Sequence, residues 1–98
     1  MDLRCDATDQ LFGSILRLES IEECYRFFED LCTIRELRDL SQRFQIATLL
    51  DQGMNYQTIV KKTEASTTTI SRVNQCLNYG SGGYRDALEK RNAAGEEA

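Results

Sequence analysis

Ninety-eight residues with 41% hydrophobic content suit one small domain with a core of its own. Proline is absent and helix formers dominate, which points to an all-α protein. The net charge of −4 argues at first sight against nucleic acid, although its distribution matters more than its sum. No apolar run approaches the roughly 20 residues of a membrane span. The opening MDLRCDATDQ lacks the apolar core of a signal peptide, so a cytoplasmic protein is expected. Cys5, Cys24, Cys32 and Cys76 form no CxxC pair, and no histidine is present to complete a common zinc site. No metal is expected, and the cysteines are expected to be reduced thiols, mostly buried as small apolar residues. A chain this short buries a modest share of its surface, so a dimer interface is a natural source of further burial.

In chain order, Leu11, Phe12, Ile15, Leu16 and Leu18 give Asp6 to Leu18 a helical spacing with a broad apolar stripe. Ser20 followed by Glu23 is a capping-box pattern opening a helix that carries Cys24, Phe27, Phe28 and Leu31. Thr33 followed by Glu36 is another, opening a longer helix with Leu37, Leu40, Phe44, Ala47 and Leu50 on its apolar side. Gly53 is a natural residue to end it. Asn55 caps a short helix with Ile59 and Val60 facing inward. Glu64-Ala65-Ser66 makes a tight connection, and Ser66 or Thr67 caps a helix running to Leu77 on Ile70, Val73 and Leu77. NYGSGGY is a flexible break, Tyr84 to about Ala93 is a last helix, and AAGEEA is expected to fray. The expectation is six helices in one domain, residues 1–98, with no internal repeat.

The run Ser66 to Thr69 places four hydroxyl residues in succession. β-Branched residues are poor choices inside a helix and good ones at its start. A short helix, a tight turn and a second helix form the sequence-level shape of a helix-turn-helix. With Ile70 and Val73 inward, Thr67, Thr68, Ser71, Asn74 and Gln75 point mainly outward, with Arg72 at the edge. Such hydroxyls and amides can reach phosphates and base edges, and a helix N-terminus adds backbone N–H donors. Lys61 and Lys62 sit where a supporting helix can meet the backbone. Residues 1–40 carry −5, residues 41–80 carry +2 and residues 81–98 carry −1, so the positive third holds the hydroxyl run. A plain helical hairpin within a bundle fits the pattern as well.

From Thr33 to about Leu77 the chain resembles the tryptophan repressor superfamily, and most closely its small Trp-repressor-related branch of bacterial genomes. CTIRELRDLSQRFQIATLLDQGMNYQTI and ASTTTISRVNQCL carry the resemblance, with Leu40 and Arg43 on the long helix and T-I-S-R at Thr69 to Arg72. The resemblance implies a six-helix fold with a helix-turn-helix, assembled as an intertwined homodimer in which N-terminal helices of one chain wrap the other. It implies N-terminal dimerisation helices over 1–32, a long central helix over 33–53, the helix-turn-helix over 55–78 and a C-terminal helix over 84–94. It further implies a double-stranded DNA operator. Ser66, Thr67, Thr68, Thr69 and Ser71 would belong to the recognition helix, and Asn55 and Gln57 would meet the phosphate backbone. The family is a reference case for helix-turn-helix docking and for water-mediated base contacts, with which short polar side chains are compatible.

In the family a corepressor, L-tryptophan, sits between the long helix and the recognition helix. Thr33, Arg43 and Arg72 occupy the matching positions, and an arginine pair can sandwich an indole and bind a carboxylate. Val73 stands where the family has a small glycine, and Cys76 where it has a serine able to hydrogen-bond the amino acid. The arginines therefore suit DNA better than ligand, with pairing to Asp39, Asp51 or Glu64 as a further use.

An enzyme is the first rival class, and no histidine, phosphate loop or nucleophile–base arrangement supports it. Glu22, Glu23, Glu29 and Asp30 read as exposed helix faces, and GSGG lacks the strand and helix context of a nucleotide loop. A helical dimeric protein-interaction module that has lost DNA binding is the stronger rival, because few bases are available to neutralise phosphates.

Overall fold

The computed structural model describes residues 3–95 and, among them, consists of six α-helices with no strand. These are α1 (Asp6–Leu16), α2 (Ile21–Leu31), α3 (Ile34–Asp51), α4 (Tyr56–Thr63), α5 (Thr67–Tyr79) and α6 (Gly83–Ala93). The all-α expectation holds. Of the stretch expected to fray, residues 96–98 lie outside the described residues, while Ala93 closes α6 and Ala94 is its C-cap. No described helix is long and apolar enough to cross a membrane.

The chain divides into two compact units, Met1–Leu37 and Arg38–Ala98. In the first, α1 ends at Leu16 rather than Leu18, because the N–H groups of Arg17 and Leu18 turn back to Ser14 and Ile15 in a tightened last turn. Ser20 then caps α2, accepting the N–H of Glu23 at 3.1 Å. The Glu23 carboxylate reaches back to the N–H of Glu19 at 3.2 Å, one residue before the usual position in a capping box. Neither α1 nor α2 contains a buried residue.

That absence corrects one expectation. Cys5 and Cys76 are exposed, and Cys24 and Cys32 are half-buried, so none of the four free thiols is a core residue. Three of them lie in the N-terminal unit, where no buried interior exists to take them.

The second unit holds the core: Ile46, Ala47 and Leu49 of α3, Ile59 of α4, Ala65 in the turn, Ile70, Val73 and Leu77 of α5, and Leu88 of α6. Only Ala47 of the expected α3 stripe is fully buried there, while Leu40 remains 43% and Phe44 37% exposed. A second apolar face on α3, formed by Ile46 and Leu49, meets α4 to α6 and leaves the first stripe open. Gly53 stops α3 at φ 85, as its position led one to expect. Arg85 ties the C-terminal ends of α3 and α5 to α6, donating to Asp51 at 2.8 Å and to Asn78 at 3.0 Å. Asp51 is thus taken by Arg85, not by Arg43 or Arg72.

Candidate nucleic-acid interface

Two short helices and a three-residue connection form the polar face of the second unit. Asn55 caps α4 in extended conformation, its Oδ1 accepting the N–H of Thr58 at 2.9 Å. The cap uses the oxygen and leaves the Nδ2 donors of Asn55 facing outward. Gln57 is exposed beside it. Lys61 and Lys62 lie exposed in the last turn of α4, where a cation also complements the helix dipole.

The turn is built by Thr63 and Glu64. Buried Thr63 donates through its hydroxyl to the Ile59 carbonyl at 2.7 Å and accepts the N–H of Ala65 at 3.2 Å. Glu64 adopts the left-handed conformation, φ 59 and ψ 15, and its N–H returns to the Val60 carbonyl at 2.8 Å. Among the described residues it is the only one other than glycine with positive φ. A side chain there costs on the order of 1 kcal/mol. Nothing in the sequence marks this position, since glycine or asparagine is the usual choice. Ala65 is 5% exposed and permits the close crossing of the two helices.

Ser66 caps α5, accepting the N–H of Thr69 at 3.1 Å, and its hydroxyl lies 3.1 Å from that of Thr69. Both hydroxyls therefore shape the helix end before they meet any ligand. The N–H groups of Thr67 and Thr68, in the first turn, have no partner within the helix. Ile70, Val73 and Leu77 are buried, which fixes the rotation of α5. Thr67, Thr68, Ser71, Arg72 and Gln75 are exposed on the opposite side; Thr69 and Asn74 are half-buried. Thr67, Thr68, Ser71, Arg72 and Gln75 thus share the outward side of α5 with the unpaired N–H groups of its first turn.

Thr33, Arg43 and Arg72, the residues matched to a corepressor site by resemblance, are all exposed. The Thr33 hydroxyl accepts the N–H of Glu36 at 3.0 Å, and the Glu36 carboxylate accepts the N–H of Thr33 at 2.8 Å. Those bonds hold the Glu36 carboxyl below its usual range. Val73 is 2% exposed and belongs to the core. Half-buried Tyr84 packs against the same core, and burial pushes its phenol up while the Arg43 guanidinium nearby draws it down. Among the described residues no group of three or more Cys, Asp or Glu side chains can hold a metal ion.

Sequence reasoning missed Gln42, whose Nε2 donates to the Thr63 carbonyl across 21 positions of sequence at 3.0 Å. It also missed Arg91, whose guanidinium lies 5.8 Å from the Phe44 ring centroid. Both are long-range contacts, which local pattern cannot signal.

Fold and face define a class: small all-helical proteins that present two short helices across a tight turn. Within it, the chain belongs to the Trp repressor family, a family of regulatory DNA-binding proteins rather than enzymes, and the family model described as Trp repressor protein matches residues 6–92. The uncharacterized protein YerC of Bacillus subtilis (strain 168) is 54% identical over 88 residues, covering 90% of this chain and 85% of that protein. A crystal structure of a TrpR-like protein from Eubacterium eligens ATCC 27750 superposes with a TM-score of 0.87 at 51% identity, covering 90% of this chain and 91% of that one. A candidate Trp repressor from Staphylococcus aureus gives a TM-score of 0.88 at 50% identity, covering 92% and 90% of the two chains.

Proposed function

We propose that the protein is a cytoplasmic, homodimeric transcriptional regulator, acting as a repressor, that binds a specific double-stranded DNA operator. The α4–turn–α5 pair serves as the helix-turn-helix, with α5 in the major groove. The observation that carries this reading is the outward face of α5. Its core residues fix the rotation, and its first turn offers Thr67 and Thr68 with their backbone N–H groups at one end and Arg72 further along. The donors of that turn and of Asn55 and Gln57 bind phosphates, as do Lys61, Lys62 and Arg72. Thr67, Thr68 and Ser71 reach base edges directly or through water. Ser66 and Thr69 hold the helix end in place.

Two copies are needed, because three cations and a short helix hold one half-site weakly. In a symmetric dimer the two α5 helices enter successive major grooves about 34 Å apart and require a near-palindromic site. The N-terminal helices supply the dimer contacts, since they carry large apolar residues and bury none of them. DNA binding does not require L-tryptophan. Val73 fills space between α3 and α5, and Thr33 spends its hydroxyl on a helix cap, so the indole and the amino acid group find neither room nor partners.

Titration of isotope-labelled protein with short duplex DNA tests the assignment. The amide resonances of residues 55–57 and 66–72 are expected to shift first and farthest. Shifts confined to the opposite side, or none at micromolar duplex, would leave a dimeric interaction module as the better account.

A further inference from the structure

Tyr79 closes α5 and is 86% exposed, more than any other large apolar or aromatic side chain among the described residues. No described residue pairs with its hydroxyl or with the Gln75 amide one turn before it. The adjacent polar side chains are engaged instead. Asn78 Nδ2 donates to the Asn74 carbonyl at 2.9 Å and to the Asn74 Oδ1 at 3.0 Å, while Asn78 Oδ1 accepts from Arg85 at 3.0 Å. Arg85 is held in turn by Asp51. These bonds fasten the end of α5 to α6 and α3, so the backbone under Tyr79 is fixed while its ring stays in water. Gly80 then ends the helix, at a position where a side chain would meet the Cys76 carbonyl.

At about 100° per residue, Thr68, Arg72, Gln75 and Tyr79 fall within about 60° of one another, opposite buried Ile70, Val73 and Leu77. Tyr79 therefore prolongs the outward stripe of α5. At about 1.5 Å per residue it stands roughly 16 Å along the axis from Thr68. The major groove is about 12 Å wide. A helix whose first turn lies in the groove thus brings its other end to the phosphates at the rim. Tyrosine hydroxyls make such phosphate contacts. A neutral donor also suits a chain of net charge −4, in which Lys61, Lys62 and Arg72 are the only cations of α4 and α5. A second copy of the chain is the weaker occupant, because the neighbours of Tyr79 on the stripe are Arg72 and Gln75 and offer no apolar patch.

We propose that Tyr79 is a further DNA contact, its hydroxyl donating to a backbone phosphate at the rim of the groove that receives the first turn of α5. The inference rests on the DNA-binding reading above and deepens it by adding an uncharged clamp at the far end of the helix. Such a contact positions the protein and carries no sequence information.

The probe is a synthetic duplex of the motif enriched from genomic fragments, titrated at several salt concentrations with the unaltered protein, Tyr79→Phe and Tyr79→Ala. Both substitutions change an exposed side chain and should leave helix content unaltered by circular dichroism. Tyr79→Phe should weaken binding at least about fivefold, two such bonds being lost per dimer. The loss should be equal on the motif and on random duplex. The slope of log affinity against log salt should stay as it was, because a neutral hydroxyl releases no counterion. Methylphosphonate, scanned one phosphate at a time, should find one position per half-site at which most of the difference between Tyr79→Phe and the unaltered protein disappears. Equal affinity of the two proteins would overturn the contact, and a continued loss in Thr68→Asp would then leave the DNA reading standing. A raised dimer dissociation constant in sedimentation of Tyr79→Ala would also overturn it, by placing the ring between copies. An unaltered protein that enriches no motif and binds no random duplex sinks the DNA reading and this contact together.

Discussion

Gln42 donates from α3 to the backbone carbonyl of Thr63 at 3.0 Å, and so the long helix holds the end of α4 directly. Thr63 in turn closes the connection through its own hydroxyl, bonded to Ile59 and Ala65. Core and polar face are thereby linked at one residue, and the tilt of α5 depends on it.

Thr63→Val tests that link. The substitution keeps the shape but removes one acceptor and one donor, leaving the Ala65 N–H unsatisfied in a buried site. A loss of about 1–3 kcal/mol is expected in urea unfolding, with the slope unchanged. DNA affinity should fall beyond what the loss of folded protein accounts for, because the turn itself loosens.

Glu64→Gly should act in the opposite direction. It relieves a left-handed residue, with a gain of up to about 1 kcal/mol offset in part by the freedom glycine adds to the unfolded chain. It also removes a negative charge beside the start of α5, so duplex affinity should rise, most at low salt. Weaker DNA binding in a stabilised Glu64→Gly protein would mean that this face does not meet phosphates.

Thr68→Asp places a carboxylate at the first turn of α5. Negative charge there favours the helix dipole, so circular dichroism and melting should be unchanged or slightly improved. Duplex binding should nonetheless drop at least about tenfold through repulsion and lost donors. Indifference of the DNA titration to this change favours an interaction module.

Lys61→Ala combined with Lys62→Ala addresses the phosphate contacts alone. Each phosphate neutralised contributes about 0.9 to the slope of log affinity against log salt. In a dimer the double substitution removes four lysines, so the slope should flatten by up to about 3.6. Preference for the operator over random DNA should survive, since neither lysine reads a base.

Much of this architecture is legible in the sequence because its signals are local. Thr33 with Glu36, Asn55 with Thr58, Ser66 with Thr69 and the φ 85 glycine at position 53 each announce a helix end, and the structure makes each bond. Ile70, Val73 and Leu77 give the rotation of α5 by spacing alone. Other features have no local cause. Glu64 turns left-handed because the two helices must cross, a demand of packing and not of glutamate. The α3 stripe at Leu40 and Phe44 looks like core by periodicity yet stays open within one chain, since helical spacing marks an apolar face without saying which molecule covers it. The cysteines were expected inside for the same reason: residue type predicts burial only where an interior exists.

The most direct measurement is selection of genomic fragments by the purified protein, with and without L-tryptophan at fixed salt. The account predicts one near-palindromic motif, with half-sites about one helical turn apart, enriched equally in both arms. Enrichment only with tryptophan would contradict the reading of Val73 and Thr33. No enrichment in either arm by a dimeric protein would contradict the central claim that this face reads DNA.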